Sequence, residues 1–296
     1  MGALVSFFAG LATLIALAAP AAAQDAAAIE HGKYLFGAAG CASCHTDVKN
    51  NGPLLGGGRA LPTPFGTFYG PNITADKEHG IGAWTDAQFI QALRMGLSPK
   101  GEHYFPVFPY PSFTNMTDRD MLDLKAYIFS LPTSDRPSKP HEIKFPFNYR
   151  ISMIGWNLLF LDPGPFKPDD SRDEAWNRGA YLVRAVAHCG ECHTERNLFG
   201  AKRVDRELGG SPIGPDGDSV PNITPDEKSG IGGWSDSEIS DLLQSGMTPD
   251  GDAVSRSMDE VIQNLSKLTD DDRNAIAVYL KSLPAVHTET RAAQKD

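Results

Sequence analysis

All four cysteines of this 296-residue chain stand in two copies of one pattern, CASCH at 41–45 and CGECH at 189–193. No composition statistic constrains the fold as tightly. The pattern fixes two chemically equivalent points 148 positions apart (41 to 189) and leaves no cysteine over. Four cysteines in an exported chain would ordinarily suggest two disulfides. Cys-x-x-Cys followed at once by histidine, however, is the attachment signature of c-type haem. Two thiols one helical turn apart can each form a thioether to a haem vinyl group, and the adjacent His45 or His193 then reaches the iron from one face. A redox-active cysteine pair needs no adjacent histidine. A four-cysteine zinc site would have to join two distant knuckles and leave both histidines idle. The expected cofactors are therefore two covalently bound haem c groups, on Cys41 and Cys44 and on Cys189 and Cys192, with His45 and His193 as axial ligands.

The motifs anchor a longer repeat. GKYLFGAAGCASCHT returns as GAYLVRAVAHCGECHT, PNITADKEHGIGAWTD at 71–86 as PNITPDEKSGIGGWSD at 221–236, and MTDRDMLDLKAYIFSLP as LTDDDRNAIAVYLKSLP. A duplication of this extent implies two homologous domains. Each copy reads as mainly helical. One helix runs into the cysteine motif, and a second starts at Thr85 or Ser235, where T-x-x-Q and S-x-x-E form capping boxes. A last helix starts at Thr117 or Thr269, carries Leu124, Tyr127 and Ile128 or Ile276, Tyr279 and Leu280 at helical spacing, and stops near Pro132 or Pro284. Gly- and Pro-rich stretches such as NNGPLLGGGRALPTPFG read as loops suited to wrapping a flat macrocycle. The expected fold is all-α, two such domains in tandem: 24–135 and 173–290, with a connector at 136–172 and a tail at 291–296. Phe145, Phe147, Trp156, Leu158, Leu159 and Phe160 make the connector too apolar for a flexible tether. It is expected to be ordered, with a short helix near 151–160.

Residues 1–23 carry no charge, run apolar from Ala3 to Ala19 and close on Ala21, Ala22 and Ala23. They read as an export signal cut after Ala23, although no Lys or Arg precedes the apolar run; uncleaved, the segment would be a membrane anchor. The net charge of −10 lies wholly in the remainder. It argues against nucleic acid as a partner and fits a partner with a basic docking face.

On these motifs and the repeated N-I-T and G-I-G-x-W segments, the chain resembles the dihaem members of the class I cytochrome c family. It is similar to the cytochrome subunits that accept electrons from periplasmic alcohol, sugar and aldehyde dehydrogenases. The resemblance implies a periplasmic electron carrier, with a dehydrogenase as donor and another cytochrome or an oxidase as acceptor. It also implies a methionine sulfur on the second face of each iron, between the middle and final helices. Met258 supplies one in the second copy, and thioether ligation raises the potential. Counting from Gly101 and Gly251, the matching residue of the first copy is Phe108, in EHYFPVFPYPSF where related sequences often read Tyr-Pro-Ala-Met-Pro-Tyr. Phenylalanine cannot ligate iron.

Several alternatives stay open for the first copy. Met116 could serve as sixth ligand, although it precedes the helix cap Thr117, where an apolar staple residue is expected. Met95 lies near the end of the second helix. His103 could give a bis-histidine site, or the iron could stay five-coordinate. An open iron would admit a peroxidase-like enzyme or a small-gas binder, with His103 as the acid–base group. Trp84, Trp234 and Arg59 are expected near the haems, Arg59 as a partner for a propionate.

Overall fold

The protein is described here by a computed structural model, which covers residues 18–214, 217–254 and 256–289. The predicted leader and tail lie outside these residues, except that the backbone of 18–23 is helical.

The first half runs α1 (Ala18–Ala38), α2 (Cys41–His45), β1 (Ala60–Thr63), β2 (Gly66–Tyr69), α3 (Asp86–Met95), α4 (Tyr110–Phe113) and α5 (Asp118–Ser130). A connector with β3 (Glu142–Ile143) and α6 (Ser152–Phe160) follows. The second half comprises α7 (Glu174–Tyr181), α8 (Gly190–His193), α9 (Asp236–Ser245), α10 (Arg256–Leu265) and α11 (Asp270–Ser282). Both predicted capping boxes form, Thr85 with Gln88 and Ser235 with Glu238. Thr117 and Thr269 cap the last helices by accepting from the N–H groups of Asp120 and Asp272.

In each half the first helix crosses the last, α1 on α5 and α7 on α11, while α3 and α9 flank them. The crossings are close because a glycine sits at each. A Cβ on Gly32 would lie 1.8 Å from the carbonyl oxygen of Asp123, and one on Gly179 would lie 1.9 Å from that of Ala275. The halves differ just beyond these glycines. Ten positions separate Gly179 from Cys189 (189 − 179) and nine separate Gly32 from Cys41 (41 − 32). The extra residue is absorbed as a π-helical turn, Leu182–Val186, continuing α7, which is how helices commonly accommodate a one-residue insertion.

The all-α expectation needs one correction. ALPTPFGTFY, read from sequence as loop, folds as an antiparallel hairpin pairing Ala60 with Tyr69 and Thr63 with Gly66, and β3 extends it through Gly66↔Ile143 and Thr67↔Glu142. Strand order β1-β2-β3 leaves β1 at an edge, where Pro62 withholds no ladder hydrogen bond that the sheet needs. The connector helix forms as expected, but it packs on one side only. Trp156 is buried and its indole N–H donates to the Phe199 carbonyl at 2.9 Å, whereas Leu158 and Leu159 are 85% and 72% exposed. Among the described residues no helix is long and apolar enough to cross a membrane.

Buried apolar side chains from both halves merge into one continuous core. The polar contacts at their junction are reciprocal. Tyr34 of α1 donates to Asp272 at 2.6 Å and accepts from the Thr269 N–H at 3.0 Å. Tyr181, its match in the repeat, donates to Asp120 and accepts from the Thr117 N–H at 3.2 Å. Each half thus caps the final helix of the other, as in an isologous two-fold interface.

Candidate haem-binding sites

In both halves the motif histidine is oriented by a proline carbonyl. His45 Nδ1 lies 2.8 Å from the Pro71 oxygen and His193 Nδ1 2.8 Å from the Pro221 oxygen. A carbonyl only accepts, so Nδ1 carries the proton and Nε2 keeps its lone pair, the arrangement that fixes ring and tautomer in metal-binding histidines. Burial pulls both imidazole pKa values down, partly opposed by these bonds, which favours the neutral ligand form.

The repeated P-N-I-T segment holds each carbonyl in place. Asn72 Nδ2 donates to the Ser134 and Arg136 carbonyls at 2.7 and 2.9 Å, and its Oδ1 accepts from Thr74 N and Oγ1. Asn222 Nδ2 donates to the Val286 carbonyl at 2.6 Å and to the Ser229 hydroxyl at 3.0 Å, and its Oδ1 accepts from Thr224 N and Oγ1. Asn72, Thr74, Asn222 and Thr224 are all buried, and here a fully satisfied polar network specifies one geometry.

Burial raises the Cys44 thiol and pushes Cys41 and Cys189 up to about 12. A catalytic dithiol needs the opposite shift, towards thiolate at neutral pH. No disulfide joins the four cysteines. Two thiols beside one neutral, pre-oriented imidazole, occurring twice, match the donor set for covalent haem c. The thioethers would form at Cys41, Cys44, Cys189 and Cys192, and His45 and His193 would bind iron, supplying one-electron redox chemistry.

The segments that precede the last helix differ between the halves. Met258 is half-buried against the core on α10, whose apolar residues Met258, Ile262 and Leu265 share one face. This helix was not anticipated from sequence. Phe108 sits among aromatic rings, with centroids 5.7 Å from Tyr104, 6.3 Å from Tyr110 and 5.9 Å from Phe113. Met116 is fully buried in the hydrophobic core, and Arg94 holds its carbonyl at 2.9 Å. Met95 is at the surface. His103 Nδ1 contacts Asn157 of α6 at 3.2 Å, and Arg150 binds its carbonyl at 2.8 Å. Arg59 forks Glu260, a carboxylate of the second half, at 3.0 and 3.1 Å.

The family model for cytochrome c matches residues 29–132. A "diheme cytochrome c-type" protein of Cereibacter sphaeroides is 46% identical over 258 residues, covering 86% of each chain. The chain belongs to the cytochrome c family. The cytochrome is also 40% identical to the fructose dehydrogenase cytochrome subunit of Gluconobacter japonicus, over 87% of its own length and 53% of that subunit. It is 37% identical to the cytochrome c subunit of the quinone-dependent alcohol dehydrogenase of Gluconacetobacter polyoxogenes, over 95% of its own length and 62% of that subunit.

Sequence reasoning about this cytochrome missed three features. The orienting proline carbonyls had a signal, since P-N-I-T recurs unchanged. Lys125 and Lys281 both bind the carbonyl of the G-I-G-x-W tryptophan, at 2.9 Å for Trp84 and 2.7 Å for Trp234. They stand one helical turn apart in the repeat alignment, so alignment hides their equivalence. Glu191, inside the second cysteine motif, is held by Ser112, Lys202 at 3.0 Å and Arg196 at 2.5 Å. Burial would raise its pKa, but Lys202, Arg196 and Ser112 outweigh it and hold the carboxyl at about 2.

Proposed function

We propose that the protein is a periplasmic dihaem electron carrier that accepts single electrons from a dehydrogenase and passes them to another cytochrome or an oxidase. Residues 1–23 are the cleaved export signal. One haem c is carried by 24–135, on Cys41, Cys44 and His45, and the other by 173–290, on Cys189, Cys192 and His193. The connector 136–172 fixes their relative placement. Met258 is the sixth ligand of the second haem. Met116 belongs to the core and Met95 to the surface, so the first haem is assigned no sulfur ligand.

The observation that carries this reading is that each CxxCH histidine has its Nδ1 proton committed to a proline carbonyl at 2.8 Å. The dehydrogenase partner rests on the relatives' names, and the chain spans only part of several of them. Haem quantitation and redox titration of the purified protein test the reading. Two haem c per chain with two separable one-electron waves are expected; a single haem, or redox-silent iron, would refute it.

The aromatic packing around Phe108 favours one added property, small-gas binding at the first haem. Carbon monoxide difference spectra test it.

A further inference from the structure

The residue before each cysteine motif is Gly40 in the first half and His188 in the second, and both adopt left-handed backbone, with φ 61° and 43°. Glycine takes this conformation freely; a histidine there is strained. Such strain persists where surrounding structure holds a side chain in a required place. The π-helical turn Leu182–Val186, created by the one-residue insertion, ends two residues before His188. π-Turns of this kind are also frequent at functional positions.

The place His188 is held in lies between the two attachment motifs. Its backbone precedes Cys189. Its Nε2 is 3.2 Å from the carbonyl oxygen of Ala39, two residues before Cys41. Its ring meets Phe113 edge-on at 5.3 Å, and Phe113 in turn packs on Phe108 at 5.9 Å. Ser112, next to Phe113, is bonded to Glu191 inside the second motif and to Lys202 at 3.1 Å. This pins the first-half loop against the second attachment site. His188 thereby touches both the chain entering the first motif and the aromatic cluster around Phe108.

We propose that His188 is the crossing point for electrons between the two haem sites. The step moves one electron: one iron passes from ferrous to ferric, the other from ferric to ferrous, and no atom or proton is transferred. This rests on the two-haem reading above.

The test is His188→Gly in the full holoprotein. It installs the residue that the first half uses at the same backbone conformation, so folding is preserved. Intramolecular electron transfer is followed after rapid one-electron reduction, alongside the midpoint potential of each haem and thermal unfolding. The exchange rate is expected to fall severalfold in His188→Gly with both potentials and the unfolding temperature unmoved. Phe113→Leu is expected to slow it in the same way. His188→Asn tolerates left-handed backbone and keeps a donor for the Ala39 carbonyl but lacks the ring; it should stay slow. An unchanged rate in His188→Gly overturns the proposal, as does a full wild-type rate in His188→Asn. A slowing accompanied by shifted potentials also overturns it, because the driving force would then be the cause. A wild-type chain with one haem shows no exchange phase at all, and then the two-haem reading has failed first.

Discussion

The stretch before the last helix is where the two halves part company. In the second half a ten-residue helix, α10, presents Met258; in the first, the equivalent stretch contains Pro106, Pro109 and Pro111, and only the four-residue α4 forms. Proline removes a backbone donor and blocks helix interiors, so this loop is organised by side chains instead. Tyr110 is fully buried, donates to Asn157 Oδ1 at 2.5 Å and meets Trp156 at 6.3 Å. The contrast shows that a duplicated scaffold can keep the bond from each motif histidine to its proline carbonyl while a neighbouring segment changes from a methionine-bearing helix to an aromatic loop. The bond from each motif histidine to its proline carbonyl is 2.8 Å in both halves and does not distinguish them, so Met258 and Phe108 are the first positions at which to test for a difference.

Breaking the asymmetry should give the largest effects. Met258→Ala should lower the potential of one haem only, by on the order of 0.1 V, a fraction of the roughly 0.8 V that axial ligation spans. Titration of both waves checks it; equal shifts, or none, would detach Met258 from the iron. The converse change adds a thioether to the aromatic loop. Half the haem of the reduced wild type should bind carbon monoxide, and Phe108→Met should abolish that binding while raising the lower potential. Carbon monoxide spectra that are identical in the two proteins would mean that position 108 does not face the iron.

How much of this was legible beforehand follows from how local each cause is. The capping boxes at Thr85 and Ser235, the starts of α5 and α11, and the connector helix are set by neighbours in sequence and could be read directly. The two CxxCH motifs were legible because covalent haem attachment demands that fixed spacing. The hairpin 60–69 was not, because Pro62 and Pro64 argue for loop unless the strand is known to lie at an edge. The Arg59–Glu260 pair was not legible either, because Glu260 lies 201 positions away and meets Arg59 only once the halves are docked. The same holds for Tyr34 and Tyr181. They read as ordinary helix residues of a repeat, and their roles as caps for the opposite half depend on an interface that no local pattern encodes.

That reciprocal interface can be tested from both sides. Tyr34→Phe and Tyr181→Phe each remove a hydroxyl bonded to a buried carboxylate, and each should cost about 2 kcal/mol of unfolding free energy. Denaturant titration should show similar losses for the two changes. A loss confined to one would mean that the pairs are matched in geometry but not in energy.

The smallest predicted effect separates the two carboxylates. Asp272 is gripped by Arg178 through Nε and Nη2, both at 2.7 Å, whereas the position matching Arg178 in the first half is His31, 3.8 Å from Asp120. Burial alone would raise the Asp272 pKa, but the bonds from Arg178 and Tyr34 outweigh it and the net shift is downward. A carboxyl depressed in the folded state stabilises it fully above the unfolded value, about 3.9. That contribution fades as pH falls through the lower, folded value. Unfolding free energy should therefore decline on acidification below about pH 4, and Asp272→Asn should flatten that part of the profile while lowering stability at neutral pH. If Asp272→Asn leaves the acid slope intact, the pH response of the interface resides in other carboxylates, and the Arg178 fork contributes geometry without proton linkage.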